Sequence, residues 1–234
     1  MRLNNWLANI QDWLLPRLCP GCRGWAGPGR GLCLACEKQL PRLTHACPRC
    51  AQPYDHPNTR GVCGACQRRP PAFAAARAAF RYAPPVDHFI RTFKFHNELG
   101  LATLLGTELV RAVRGAESPD LVVPIPLHPS RLRRRGYNQA LEIARIVART
   151  LELPLDAHGL VRSRATSAQS DLTVSARRRN VRGAFHVHPP RRYRGMRIAL
   201  VDDVMTSGST ADAAARALRA GGAKQVEVWV VARA

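Results

Sequence analysis

Lysine is almost absent from this chain. Of 36 basic residues only Lys38, Lys94 and Lys224 are lysine, so a formal charge of +20 at pH 7 rests on arginine, against 16 acidic residues. Aromatic residues are also few, at 6%, which leaves little for an extended base-stacking platform. Long apolar runs are missing. No stretch approaches the roughly 18 uncharged apolar residues of a spanning helix, so an integral membrane protein is excluded. Cysteine is missing from everything after residue 66. What is present is 234 residues with 46% hydrophobic and 22% charged. That balance excludes a disordered basic tail and allows one large domain, or a medium one with a small companion.

The positive charge is spread along the chain. An arginine skew can also reflect genome composition, so charge leaves open both nucleic acid and a small phosphorylated ligand as partners. Residues 1–18 place Leu3, Trp6, Leu7, Ile10, Trp13 and Leu14 at helical spacing. Asn4, Asn5, Gln11 and Asp12 interrupt any continuous apolar core, and no small-residue cleavage site follows. The expectation is an amphipathic helix docked on the protein, in a cytoplasmic chain.

All eight cysteines form C-x-x-C pairs: Cys19/Cys22, Cys33/Cys36, Cys47/Cys50 and Cys63/Cys66. Each pair puts two thiolates on one tight turn, and two turns supply the four sulfurs of a tetrahedral ion. A disulfide scaffold needs an oxidising compartment, and a redox C-x-x-C normally occurs once. An iron–sulfur cluster also takes four cysteines, but successive ribbon-like pairs favour zinc. The spacing therefore predicts two structural Zn2+ sites over residues 19–69, with His45 and His56 as bystanders. The Pro/Gly-rich composition there suits a loop-dominated unit that folds around metal.

A boundary falls near Arg68-Arg69-Pro70-Pro71. Beyond it, Val86, Phe89, Ile90 and Phe93 mark one helix face, and a second helix is predicted from about Leu99 to Val113. Buried strands are predicted at Leu121–Ile125, Arg197–Val201 and Val226–Val231, with helices at Ala140–Leu151 and Ala211–Ala220. Strands alternating with helices imply an α/β domain over 70–234 built on a parallel sheet covered on both faces.

The sharpest chemistry lies at Leu200-Val201-Asp202-Asp203-Val204-Met205-Thr206-Ser207-Gly208-Ser209-Thr210. A buried strand leads into two carboxylates, then into a Gly/Ser/Thr loop that opens a helix. Ligands of open α/β sheets bind at the carboxyl ends of strands. The loop amides, the hydroxyls of Thr206, Ser207, Ser209 and Thr210, and the positive helix end make a phosphate cradle around Gly208. Adjacent carboxylates cannot serve that same phosphate. They suit vicinal ribose hydroxyls, or a Mg2+ bridging sugar and phosphate.

This string resembles the phosphoribosyl-diphosphate (PRPP) signature of the type I phosphoribosyltransferase fold. With the four C-x-x-C pairs, the chain is similar to the ComF/GntX family, double-zinc-ribbon proteins associated with DNA uptake and DNA use. The resemblance extends to Val123-Pro124-Ile125-Pro126-Leu127-His128 with Arg131 and Arg135-Gly136-Tyr137-Asn138-Gln139. It continues through Arg164-Ala165-Thr166, Gln169, Leu172, Arg177, Arg178, Asn180 and Gly183-Ala184-Phe185, and includes Lys94-Phe95. It implies that Asp202 and Asp203 are the catalytic carboxylates. A pyrophosphate group with Mg2+ would lie near Leu127, His128 and Arg131, assisted by Arg135, and Lys94 would contact a phosphate. Residues 162–185 would form a loop closing over the ligand. No nucleobase-reading hood is evident. Two functions stand side by side. One is an accessory protein for DNA uptake or use, with a PRPP- or nucleotide-binding pocket and with single-stranded DNA and uptake proteins as partners. The other is a transferase moving ribose 5-phosphate to an unidentified acceptor.

Overall fold

The computed structural model describes residues 18–28, 30–95, 98, 100–164, 181–188 and 193–234. The N-terminal helix expected over 1–18 therefore falls, but for Leu18, outside the described residues. So do Ala165, Thr166, Gln169, Leu172, Arg177, Arg178, Asn180, Arg191 and Arg192.

Two short helices belong to the cysteine-rich part: α1 (Leu34–Lys38) and α2 (Gly64–Arg68). Then follow β1 (Ala75–Arg81), α3 (Val86–Phe95), α4 (Gly100–Val113), β2 (Leu121–Pro124), α5 (Pro129–Arg135) and α6 (Gln139–Thr150). The chain closes with β3 (Leu160–Arg162), β4 (Phe185–Val187), β5 (Arg197–Met205), α7 (Ser209–Ala220) and β6 (Gln225–Arg233). Strands β1-β6-β5-β2 form one all-parallel sheet, and β3 and β4 form an antiparallel pair.

Strand alternation sorts the core. Ala199, Val201, Trp229 and Val231 turn toward Phe89, Ile90 and Phe93 of α3 and the apolar faces of α4 and α6. Ile198, Leu200, Val226, Val228 and Val230 turn toward Ala211, Ala214, Ala215 and Leu218 of α7 and the β3–β4 pair. A sheet covered on both faces explains the near-continuous apolar runs of β5 and β6.

Three departures from the sequence reading shape the site. Ala75–Arg81, an alanine-rich stretch with little intrinsic strand preference, is a strand because it pairs in register with β6. The stretch after Pro126, for which the sequence predicts no helix, contains helix α5, started by Pro129 and capped by the His128 side chain accepting from Ser130 N at 3.3 Å. Strand β5 does not stop before the carboxylates. It runs to Met205 because β6 continues beside it, pairing Asp202 with Val230 and Val204 with Ala232.

The cysteine-rich part packs onto the sheet. Cys19, Ala26, Leu32 and Leu40 join the core on the α3–α4 side, and Ala51 joins the α7 side. Between the two cysteine clusters the chain lies along the outer edge of β1. Leu43 N donates to Ala79 O at 3.0 Å and Arg81 N to Pro41 O at 2.8 Å, which blocks edge pairing with another chain.

Candidate phosphate pocket and zinc centres

Helix α3 and strand β5 bring Lys94 and Asp203 together, with Nζ 2.8 Å from Oδ2. Burial alone would pull the Lys94 ammonium down, but Asp203 more than offsets this and holds it above its ordinary value. Lys94 therefore bonds a carboxylate. This ion pair fixes the Lys94 ammonium beside the carboxylate end of β5. Asp203 is 7% exposed, while Asp202 is half-buried. Burial, then repulsion from Asp203, pushes the Asp202 carboxyl up to about 7. Lys94, the Asp203 amide and Arg162 pull the other way without prevailing.

The loop after β5 surrounds a pocket of about 30 Å³ bordered by Asp202 and by Thr206 through Thr210. Gly208 has φ +73°, a left-handed conformation that glycine adopts at little cost, and serves as N-cap of α7. Ser207 Oγ and Ser209 Oγ lie 2.8 Å apart. All five expected loop residues thus border one cup at a helix start.

The arginine motif serves packing as well as charge. Arg135 donates to Gln139 Oε1 at 2.9 Å and lies over the Phe95 ring at 5.6 Å. Tyr137 donates to Phe93 O, and Asn138 Nδ2 to Ile125 O at 3.0 Å. Arg135-Gly136-Tyr137-Asn138-Gln139 therefore ties α3, β2 and α6 together beneath the site. His128 caps α5 and bonds Ser130 Oγ at 2.7 Å, and Leu127 is half-buried just before it. Arg131 is half-buried, its guanidinium held below its ordinary value by burial and by Arg135 and Arg134.

The cysteines gather as two clusters, Cys19/Cys22/Cys33/Cys36 and Cys47/Cys50/Cys63/Cys66, with all sulfurs of each within 4.8 Å. A tetrahedron with Zn–S bonds of about 2.3 Å has sulfur–sulfur edges of about 3.8 Å. The Cys22–Cys33 and Cys50–Cys63 separations are both 3.7 Å. That spacing suits shared metal and is far too long for a disulfide. Each cluster repeats the same turn, with Arg23 N donating to Cys19 O at 2.7 Å and Ala51 N to Cys47 O at 2.8 Å. Burial raises the Cys19 and Cys47 thiols, but backbone amides around each more than reverse this and bring both to about 6. Cys36 is pushed up to about 12, first by its hydrogen bond with Cys33, and burial takes Cys50 to about 11. Four thiolates so crowded require a cation. A Cβ on Gly21 would lie 2.9 Å from Cys36 Sγ, so the first turn closes only around glycine.

Residues 10–67 match the double zinc ribbon domain, and residues 137–234 match the phosphoribosyl transferase domain. The DNA utilization protein YhgH of Escherichia coli (strain K12) is 33% identical over 226 residues, covering 94% of this chain and 98% of that protein. Competence protein F of Haemophilus influenzae is also 33% identical, covering 92% and 96%. The chain belongs to the ComF/GntX family. Competence protein ComFC of Bacillus subtilis is 26% identical over 201 residues, covering 82% of this family member and 79% of the relative. Among solved structures, purine phosphoribosyltransferase from Pyrococcus horikoshii aligns with TM-score 0.34 at 17% identity, covering 57% of this chain and 73% of that one. This ComF/GntX protein is a parallel-sheet α/β chain of phosphoribosyltransferase type with an N-terminal zinc-ribbon region, whose two four-cysteine centres are structural zinc sites. No helix among the described residues is long and apolar enough to cross a membrane.

Two residues of this ComF/GntX protein escaped the sequence reading. Arg162, expected only as the first residue of the closing loop, ends β3 instead, is 6% exposed and lies over the ring of Phe185, which opens β4, at 5.3 Å. Burial and Arg131 lower its guanidinium while Asp202 raises it, so these three charges share one neighbourhood. Its strand is too short to show any periodicity. Arg233 sits at the end of β6, also buried, and donates to Met205 O and Cys50 O, each at 3.1 Å. No local motif surrounds it.

Proposed function

We propose that the protein is an accessory factor in DNA uptake or utilisation whose pocket binds a phosphorylated ribose, PRPP or a nucleotide. The observation that carries this reading is the arrangement at the end of β5: a phosphate-sized cup over Thr206–Thr210 beside the Asp202 and Asp203 carboxylates. The 5′-phosphate rests on the loop amides and hydroxyls, and the ribose hydroxyls donate to the carboxylates. Asp203 is paired with Lys94 at 2.8 Å. Asp202, with its carboxyl pushed up to about 7, gains most from hydroxyl donors or from Mg2+. When bound, Mg2+ would neutralise a pyrophosphate near Leu127 and Arg131. Arg131, Arg135 and Arg162 supply the surrounding positive field. The names of the relatives, DNA utilization protein and competence protein, support the cellular role. Cytoplasmic placement and single-stranded DNA and uptake proteins as partners belong to the same proposal.

A second reading, an active phosphoribosyltransferase, is favoured by the intact carboxylate pair and loop. Calorimetry with PRPP, nucleotides and single-stranded DNA, run beside a pyrophosphate-release assay over a nucleobase panel, separates the two. PRPP or nucleotide binding without pyrophosphate release supports the accessory reading, and release with any base establishes the transferase. DNA affinity should fall steeply with salt, with a log–log slope of about −0.7 per neutralised phosphate. Affinity absent at low salt, or indifferent to salt, counts against the DNA role.

A further inference from the structure

The phosphate cup has a neighbour. A cleft of about 130 Å³ lies between the loop after β5 and the second zinc ribbon. Met205, Ser207, Gly208 and Ser209 border both spaces and form a shared wall. Across from that wall stand Cys50, Cys63, Ala65 and Cys66, with Pro70 and Pro71 completing an apolar side. Neither space approaches the roughly 300–1,000 Å³ of a free-standing ligand pocket, so each suits one part of a molecule.

The walls are held in register by one side chain. Arg233, 7% exposed, donates to Met205 O at 3.1 Å on the loop side. On the ribbon side it donates to Cys50 O at 3.1 Å and Gln52 Oε1 at 2.6 Å. The cleft is thus built before any ligand arrives. Its charged lining is Arg69, Arg216, Arg233 and Asp212. Asp212 is already engaged by Arg216 at 3.2 Å and by Ala72 N at 2.7 Å, and Arg233 by both walls, which leaves Arg69 as the cation on the cleft's rim. Gly208 in that wall carries no side chain, and a Cβ built there would lie 3.7 Å from Met205 Sδ.

We infer that this cleft takes the group esterified to a bound 5′-phosphate, so that the ligand class is a nucleic-acid-type phosphodiester; this rests on the phosphate reading of the Thr206–Thr210 loop. A monoester is complete within the cup. A diester must send its second substituent out past the phosphate, and the adjoining cleft, across the shared wall at Gly208, offers it the Arg69 rim and the apolar Pro70–Pro71 side, which matches a nucleoside.

The test compares AMP with adenylyl-(3′→5′)-adenosine, which carry the same adenosine 5′-phosphoryl group and differ in the ester on it. Binding is measured by calorimetry on the full zinc-loaded chain, its two Zn2+ verified by elemental analysis. Ala65→Trp fills the cleft from the exposed face of α2. Arg69→Glu reverses a rim charge outside both cysteine clusters, and carries the test if Ala65→Trp loses zinc. The expected result is that the dinucleotide binds wild type at least as tightly as AMP, despite carrying less charge. Each variant then weakens the dinucleotide tenfold or more and changes AMP by less than twofold. If wild type binds AMP but the dinucleotide tenfold more weakly, or if the variants affect both ligands alike, the cleft is only a packing gap and the inference is overturned. If neither ligand binds wild type, the phosphate reading of the loop fails first and takes the inference with it.

Discussion

Lys94 on α3 and Asp203 on β5 form an ion pair of 2.8 Å with side-chain exposures of 21% and 10%. It is the contact through which the helix packed over the sheet reaches the carboxylate pair. Removing the cation leaves Asp203 buried without compensation, so Lys94→Met should cost about 2 kcal/mol in chemical denaturation, below the range for fully buried pairs because some solvent reaches the lysine. Because folding raises the Lys94 ammonium above its ordinary value, the pair's contribution is complete at neutral pH. It fades only as pH rises beyond the usual lysine range. A stability difference between wild type and Lys94→Met that was already gone at pH 8 would contradict this.

Asp202 predicts the opposite end of the pH scale. Its carboxyl is raised from 3.8 to about 7 by burial and by Asp203, so the folded state holds a proton that the unfolded state has released. That contribution is complete below about pH 4 and is lost as pH rises toward 7. Asp202→Asn keeps an oxygen to accept from Asp203 N, a bond of 2.9 Å in the native chain. The variant should melt higher than wild type at pH 8, with the gap closing by pH 4. It should also lose binding of ribose 5-phosphate and of Mg2+. Equal ligand affinity in wild type and the double Asp202→Asn, Asp203→Asn variant would refute the pocket.

Gly208 offers a separable probe. With φ +73° any L side chain there is strained by about 1–2 kcal/mol. Gly208→Ala should therefore melt a few degrees lower yet remain folded, and Gly208→Val should in addition lose phosphate binding through the bulk it adds at the rim of the cup. Calorimetry with ribose 5-phosphate and a thermal melt, read together, distinguish strain from blockage.

The zinc centres should be unequal in their sensitivity to Gly21. A methyl group 2.9 Å from Cys36 Sγ has no room beside a metal-bound sulfur. Gly21→Ala should lower the zinc content from two ions per chain to one, and retention of both by elemental analysis would show that the turn can widen. Strong chelation of wild type should unfold residues 19–66 and leave most of the sheet's circular dichroism intact.

Much of this was readable along the chain. The apolar runs at Leu121–Ile125 and Arg197–Val201 are strands in the structure, because strands buried on both faces stay apolar throughout. The helix spacing at Val86, Phe89, Ile90 and Phe93 marks the buried face of α3. Ala75–Arg81 escaped because alanine carries no strand signal, and its pairing partner β6 lies at the other end of the chain. Arg135 was readable as a basic motif residue, but its stacking on Phe95 was not, since that contact depends on how α3 sits.

The sequence by itself determined whatever depends on neighbours along the chain. Each C-x-x-C sets two sulfurs on one turn, and Asp202 through Thr210 set carboxylates and a hydroxyl-rich loop within a single strand–loop–helix passage. Tertiary structure alone decided what depends on residues far apart in sequence: Lys94 against Asp203, Arg162 beside Asp202, and Arg233 between Met205 and Cys50. The reason is physical. A local turn is specified by its own few residues, whereas a buried charge takes its partner from whichever element packing brings alongside, and no spacing in the sequence records that choice.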